Sequence, residues 1–513
     1  MNNNIFDKKL TQEDVKSLHK SRKKNSVKTE NVKAKGLSSN LDEFTPSATA
    51  PWDSKRAKHL MRRLRFGASY SDIELYMDSS AGSIVKEALD SAQNGQLPSQ
   101  PEWYNKYPPP QGSSQAEFVQ YFEENFDLVL EYQQNWVREM FENPFREKMV
   151  LFWHDHFATE QMKYELAPFA ARHFTILREN CLGNFKDLVY KIGKDHAMLI
   201  YLDSVENRNG SPNENYAREL LELFTMGIGN YSQNDITDIS RALTGFYVNF
   251  FNFDAGFYSG FHDTGEKTFF GRTGNFGYDD VIDIIFEERA DEIAEFVCSK
   301  LYRFFLYETP NSSVVSELAE IFKNSNFEIR PVVETLLKSE HFFDEELMGA
   351  MFKSPVDYLL GMYAENDLLP NQEFSEIQPY LFFVMEQFLF NPPNVAGWPG
   401  YRSWLSTTTL PYRWIIAEYV GYYSSSNPSD PYKVDPIAIA NKFEDPNDPY
   451  KLSYDLAEFL LPVDLPEDEL TKLPDVLLGG LPDYEWNLGF QGAAGRILNL
   501  IIHIRKLPEY QLM

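Results

Sequence analysis

Histidine side chains could bind a metal ion in the first of three polar blocks of this chain. Within residues 146–159, His154 and His156 form a His-x-His pair. Imidazole nitrogens are good ligands for transition metals. Side chains two positions apart on a continuous helix, however, point about 200° from each other and cannot share one ion. The pair therefore predicts a metal site only if the helix stops near Trp153; on a longer helix, both histidines are packing residues.

The second block, residues 211–227, carries paired carboxylates. Glu219 and Glu222 are three positions apart, so a helix places both on one face, as in metal sites between helices. Arg218 is four positions from both Glu214 and Glu222. This second spacing equally favours a buried ion-pair network around Arg218.

The third block, residues 260–274, is a glycine-rich segment with charged side chains. Its four glycines bracket His262, Asp263, Lys267 and Arg272. Exposed backbone N–H groups and two cations could hold an anionic group such as phosphate or carboxylate. A well-ordered turn with a surface lysine is the alternative interpretation.

The three blocks support the hypothesis of a hydrolase that uses a divalent metal and acts on an anionic substrate. Zinc, manganese or iron would have imidazole and carboxylate ligands: His154, His156, Glu219, Glu222 and His262. The metal would lower the pKa of a bound water, and Glu214 or Asp263 would accept its proton. The anionic substrate would contact three basic residues: Arg218, Arg241 and Lys267.

A second hypothesis is a non-catalytic helical scaffold that binds a partner protein. The polar blocks would then be ion-pair networks that fix the fold. The segment 391–404 is rich in Trp, Pro and Gly, and is either an aromatic recognition loop or a rigid turn of the core.

Composition and missing motifs exclude several other classes. The 48 basic and 76 acidic residues give a net charge of −28, which disfavours nucleic-acid binding. The two cysteines, Cys181 and Cys298, form no Cys-x-x-Cys pair, which excludes a thiolate zinc site. The chain also lacks the G-x-S-x-G, H-E-x-x-H, G-x-G-x-x-G and P-loop signatures.

The elements that must position these blocks are mostly helices. Apolar residues recur at three- and four-residue spacing over long stretches after residue 117, whereas strand alternation is confined to a plausible hairpin at 247–261. The fold class is mainly α: a multi-helical, bundle-like single large domain. The predicted organisation begins with a disordered basic arm at 1–48 and the main helical domain at 49–423. A Pro/Asp-rich insertion with one or two short helices follows at 424–485, and a C-terminal helix within 486–513 packs back on the main domain.

The predicted location is cytoplasmic. No apolar run approaches the roughly 20 residues of a membrane helix, so we expect no transmembrane segment. The first nine residues are polar and basic and lack the apolar core of a secretion signal.

The ordered series of motifs resembles an uncharacterised, mainly bacterial family catalogued as domain of unknown function 1800. The matching segments span about residues 55–513, and they are 59–67, 148–159, 196–203, 213–227, 241–245, 262–268, 391–398 and 507–511. The resemblance implies a largely α-helical protein without a settled activity. It also implies a partner, because many members are encoded beside an alkaline-phosphatase-like protein, and an exported location, because many members carry export signals.

The chain departs from the family pattern at three places. Its N-terminus is polar and basic, which disagrees with export. The usual His-Pro dipeptide is His196-Ala197 here, and the usual Thr-Gly-Trp ends in Phe246. Neither internal change removes a candidate ligand or charge.

Overall fold

The computed structural model of the protein describes residues 10–15, 17, 39–368, 372–426 and 434–513. Its α-helices are α1 to α12, at Ser54–Leu64, Tyr70–Met77, Ala81–Asn94, Gln115–Glu142, Pro144–His156, Gln161–Tyr164, Ala167–Glu179, Phe185–Ile192, His196–Tyr201, Asn215–Glu219, Gln233–Ala242 and Tyr278–Glu288. They continue as α13 to α23, at Ala290–Phe305, Ser312–Asn324, Ile329–Lys338, Pro355–Glu365, Gln372–Val384, Thr409–Ser426, Pro436–Ala440, Pro449–Leu460, Glu467–Leu470, Leu473–Leu478 and Ala493–Lys506. The protein is mainly α, as the sequence predicts.

Helix α5 carries the His-x-His pair and is surrounded by other helices. Pro144 occupies its first turn, where the missing N–H costs nothing, and the helix continues to His156. Eleven of its thirteen residues are buried, because α1, α3, α4 and α7 all pack against it. A helix enclosed on every side places its polar residues either in the core or at an internal cavity.

Two short antiparallel hairpins complete the architecture of the described residues. Strands β1 (Phe246–Asn249) and β2 (Asp254–Phe257) pair with Phe246 opposite Phe257, at the position of the predicted hairpin. Strands β3 (Lys267–Phe269) and β4 (Arg272–Gly274) form the second hairpin inside the glycine-rich block, where a loop is predicted.

The two ends of the chain differ from the predicted organisation. Most of the predicted arm lies outside the described residues, but Leu41 and Phe44 are buried, and the Phe44 N–H donates to the carbonyl of Lys338. The segment 39–48 is therefore part of the body. Within 424–485, the described part holds four helices, α19 to α22, rather than one or two, because apolar residues follow several of its prolines. Helix α23 packs on α18, α19, α20 and α22.

No helix in the described ranges is both long enough and apolar enough to span a membrane.

Candidate functional site

The His-x-His pair lies on a continuous helix, because α5 ends only at His156. His154 is fully buried beside the rings of Trp136, Phe174 and Phe390, and its Nε2 accepts the N–H of Phe390 at 3.1 Å. Burial, with the nearby His173, holds the pKa of His154 well below its usual range. His154 is a neutral packing residue whose Nδ1 carries the proton.

His156 points in a different direction from the same helix. Its Nε2 donates to the carbonyl of Phe224 at 2.9 Å, so its Nδ1 accepts from Lys300 Nζ at 3.1 Å. Burial and the adjacent Lys300 hold its pKa well below the usual range. Both nitrogens are occupied by protein groups. The condition for a shared metal ion, a helix that stops near Trp153, is not met.

The carboxylates of the second block form local networks. Glu214 accepts from Arg218 at 3.1 Å and from Gln233 at 2.9 Å, and the Glu214 and Arg218 side chains are more than one-third exposed. The helix becomes a π-helix at Leu220–Thr225, and Glu222 accepts the hydroxyl of Tyr231 at 2.6 Å.

Glu219 lies close enough to Glu222 to respond to its charge. Burial and the Glu222 carboxylate both raise the pKa of Glu219. The two carboxylates therefore neighbour each other, as their spacing predicts, but no histidine completes the group.

The charged side chains of the third block form hydrogen bonds with neighbouring protein groups, including Arg241 on α11. Arg241 Nε donates to Asp263 at 2.8 Å, and its NH1 donates to Asp238 at 2.8 Å. Lys267 is buried, and its Nζ donates to the carbonyls of Asp263 and Phe276. Because these donors already have protein acceptors, they are poorly placed to hold an external anion.

His262 and Arg272 complete the third block. The Nδ1–H of His262 donates to the carbonyl of Thr244 at 3.0 Å, and Arg272 pairs on the surface with Glu287 and Glu288. Among the residues that the structure describes, no three His, Cys, Asp or Glu side chains form a group that could hold a metal ion. The divalent metal stays a prediction without a matching ligand set.

A cavity of about 400 Å³ lies beside the polar end of α5. Two other cavities, of about 230 and 160 Å³, are smaller. The walls of the large cavity combine charged residues with six aromatic rings, and include Lys148, Phe152, Asp155, His156, Lys300, Arg303, Phe304, Glu308, Phe352, Asp357, Trp398, Tyr401 and Trp404. The central motif of α5 thus meets the Trp/Pro/Gly segment at this cavity.

Asp155 is held in place by the segment that follows Asn391. Its Oδ1 accepts the main-chain N–H of Trp398 at 2.6 Å. Gly397 has φ +83°, and a Cβ there would lie 2.2 Å from the same oxygen. Only glycine allows this approach, because a side chain would be strained at that φ and would collide with the carboxylate. Burial raises the pKa of Asp155 to about 6, although the Trp398 N–H and Lys300 act in the opposite direction.

Lys300, on α13, is the basic counterpart of Asp155. Its Nζ donates to His156 Nδ1 and, at 3.4 Å, to the carbonyl of Leu223. Burial lowers the pKa of Lys300 to about 8, and the attraction of Asp155 opposes this change. An acid and a base whose pKa values are both displaced toward neutrality therefore face one cavity, an arrangement found at functional sites.

Among the remaining charged residues of the cavity, Lys148 and Asp357 pair with each other, whereas Arg303 is accessible to a ligand. Lys148 is neutralised by Asp357 at 2.5 Å, and Asp357 also accepts from Ser354 at 2.7 Å. Arg303 lies one turn after Lys300 on α13 and is exposed. A ligand in the cavity would meet Lys300 and Arg303 as its cations.

Sequence reasoning singled out neither Asp155 nor Lys300. Asp155 is between the two histidines in the sequence. Because successive residues of a helix are about 100° apart around its axis, the Asp155 side chain points in a direction different from that of either histidine. Lys300 and Arg303 are three positions apart on a predicted helix, and this spacing could have indicated that both cations lie on one face.

The family model described as "Protein of unknown function (DUF1800)" matches residues 59–512. The chain belongs to this family, as the motif series indicates. The search of curated proteins and the search of solved structures each found no match.

Proposed function

We propose that the protein is a hydrolase that binds a small anionic substrate in the large cavity and transfers protons through Asp155 and Lys300. The observation that carries this proposal is the position of both side chains on one aromatic-walled cavity, where Trp398 holds Asp155 and His156 holds Lys300. The volume of about 400 Å³ lies in the range of small-molecule sites.

Asp155 has the properties of a general base. With a pKa of about 6 it is mostly ionised at neutral pH, yet basic enough to accept a proton from water. The Trp398 N–H fixes one carboxylate oxygen, which leaves the other for the reacting water. Lys300, with a pKa of about 8, is mostly protonated and can donate.

The reaction balances with these two groups. Water attacks the carbonyl or phosphoryl centre of the substrate, and its proton passes to the Asp155 carboxylate. The bond to the leaving group breaks, and the leaving oxygen takes a proton from the Lys300 ammonium. Solvent then returns a proton to Lys300 and removes one from Asp155.

The walls favour a substrate with an anionic end and an apolar body. Arg303 and Lys300 attract the anionic end, because Lys148 is already neutralised by Asp357. The rings of Trp398 and Tyr401 offer faces for the apolar body.

Chromogenic substrates test the proposal. We expect hydrolysis of anionic 4-nitrophenyl succinate or 4-nitrophenyl phosphate in preference to neutral 4-nitrophenyl acetate. Asp155→Asn should lower kcat/KM by about 100-fold, and Arg303→Gln should raise KM for the anionic substrates alone. Lys86→Met changes an exposed lysine and is the control. Equal hydrolysis by wild type and Asp155→Asn would contradict the proposal.

A second candidate function, partner binding by a helical scaffold, is favoured by an exposed aromatic patch. Tyr107, Phe250 and Phe251 are 50%, 43% and 48% exposed, and the Phe251 ring lies 6.5 Å from that of Phe118. Exposed clustered rings are typical of protein interfaces. Under this proposal the partner is the alkaline-phosphatase-like protein encoded beside members of the family.

Sedimentation of the two purified proteins together tests this second candidate. A complex that forms with wild type and weakens at least 10-fold with Phe251→Ser would support it. Phe251 lies outside the cavity lining, so hydrolysis by this variant should be unchanged. The absence of any complex at micromolar concentrations would reject it.

A further inference from the structure

A cluster of buried basic side chains lies next to the cavity wall. Arg63 on α1, Arg413 on α18 and Arg505 on α23 are all fully buried, and Lys353, just before α16, is 3% exposed. Lys353 precedes Ser354, which lines the cavity. The cluster therefore brings together four separate parts of the chain.

Few carboxylates compensate these charges. Glu365 Oε2 accepts from Arg505 at 3.3 Å and from the Tyr510 hydroxyl at 2.6 Å, and Glu365 Oε1 is 3.8 Å from Lys353 Nζ. Asp357 is the next carboxylate, and Lys148 already occupies it.

Within the described residues, six basic side chains thus surround two acidic ones. The six are Arg62, Arg63, Lys148, Lys353, Arg413 and Arg505, and each interacts electrostatically with Glu365 or Asp357. A carboxylate at Met513, whose oxygen accepts from Arg63, would raise the acids to three, half the number of basic groups.

The cluster also contains buried donors without acceptors. Five N–H groups have no hydrogen-bond partner in the described structure: Arg63 NH1, Lys353 Nζ, Arg413 Nε, and Arg505 Nε and NH1. Cationic donors that are buried without acceptors are strongly destabilising. An acceptor with negative charge would satisfy both the donors and the charge balance.

Deprotonation of Lys353 relieves only part of this imbalance. Burial, with Arg62, Arg505 and Arg413, lowers the pKa of Lys353 to about 7, and its Nζ lies 3.5 Å from the centre of the Tyr510 ring. A neutral amine removes one charge and supplies one lone pair. That lone pair cannot serve the four unpaired guanidinium N–H groups, which stay charged at neutral pH.

We infer that this cluster binds a small inorganic anion, with chloride as the simplest occupant, between Lys353, Arg413 and Arg505. The anion accepts from the unpaired N–H groups of these three side chains and lowers the net positive charge. The site is structural, and its existence does not depend on the proposed hydrolase activity. It is separate from the substrate cations Lys300 and Arg303.

Ion chromatography tests the inference directly. The protein is desalted into HEPES–Tris buffer free of inorganic anions and then denatured, and released chloride, sulfate and phosphate are measured. We expect about one anion per chain, or, if the anion exchanges during desalting, a saturable rise of Tm with sodium chloride against sodium gluconate at equal ionic strength. Gluconate is too large for a buried site.

Two variants locate the anion. Lys353→Met should abolish the retained anion or the chloride-dependent rise of Tm. Lys506→Met should keep it, because Lys506, next to Arg505, is partly exposed and pairs with Glu418. If Lys353→Met does not fold, broadening of the ³⁵Cl NMR line by wild type replaces it as a measurement. No released anion together with equal Tm in chloride and gluconate, or full retention in Lys353→Met, would overturn the inference.

Discussion

The cavity around Asp155 and the polar surface around Arg241 use the same kinds of side chains in different ways. On the surface, Arg241 pairs with Asp238 and Asp263, and all three side chains are between 17% and 26% exposed. At the cavity, Asp155 and Lys300 are held by a main-chain N–H and a histidine instead of by each other. Burial moves the pKa values of Asp155 and Lys300 toward neutrality, whereas the hydrogen bond from Arg241 holds the pKa of Asp263 below its usual range.

The comparison teaches that residue type alone does not identify a reactive charge. The glycine-rich block (260–274), the second block (211–227) and α5 each contain four Asp, Glu, Lys or Arg residues, yet of these three segments only α5 contributes residues to the lining of the large cavity. The partners of a charged group, and its access to water, decide whether the group is available for chemistry or contributes only to the stability of the fold.

The largest expected effect concerns the buried ion pair of the cavity wall. Lys148→Met leaves the Asp357 carboxylate partly buried with only Ser354 as a partner, so we expect a loss of about 3–5 kcal/mol in the free energy of unfolding. Urea denaturation measures it. The double variant Lys148→Met/Asp357→Asn should recover part of the loss, and Lys86→Met, in an exposed pair, should show no measurable change.

The next effect is a pH dependence of stability that arises from Asp155. Its folded pKa of about 6 lies above the unfolded value of about 3.9, so the folded state binds its proton more tightly. Its stabilising contribution is complete below pH 4 and is lost as the pH rises through 6, by about 3 kcal/mol. Asp155→Asn should remove this decline from unfolding curves measured between pH 4 and 7. An unchanged decline would assign it to other groups.

Asp263 should show the opposite sign and a smaller size. Because the Arg241 hydrogen bond lowers its folded pKa, its contribution is present above its unfolded pKa and is lost as the pH falls through the folded value. Asp263→Asn should cost about 1 kcal/mol at pH 7, since water reaches both partners. The cost should vanish in acid. If Asp263→Asn lowered the free energy of unfolding as much as Lys148→Met does, the cavity and the polar surface around Arg241 would not differ in the way described.

The smallest effect is expected at Glu214. This carboxylate and Arg218 are more than one-third exposed, so solvent screens their attraction. Glu214→Gln should change the free energy of unfolding by less than about 0.5 kcal/mol and leave hydrolysis intact. A strong loss of hydrolysis with unchanged stability would return Glu214 to the catalytic role that the sequence predicts.

Local spacing predicted much of the fold. Apolar periodicity located the main helices, and Phe/Tyr/Val content located the β1–β2 hairpin, because both signals lie within a few neighbouring residues. The β3–β4 hairpin escaped prediction because each strand has three residues among glycines. The segment 39–48 escaped because Leu41 and Phe44 are buried by distant residues near 338–343.

The site was less accessible to sequence reasoning. The second block is helical as predicted, whereas the glycine-rich block contains the β3–β4 hairpin where a loop was predicted. The residues that interact with Asp155, Trp398 and Lys300, are far away in the sequence. The exact end of α5, three residues beyond Trp153, decided the geometry of both histidines. Helix ends are set by tertiary packing as much as by local residues.

The hydrogen bond from Trp398 to Asp155 has a consequence for biosynthesis. A nascent chain still on the ribosome can form α5 long before residue 398 has been made. It then lacks Trp398, whose ring lines the cavity and whose N–H orients the Asp155 carboxylate. The cavity is therefore complete only after residue 398 has been made, and truncated or half-folded copies lack the proposed site.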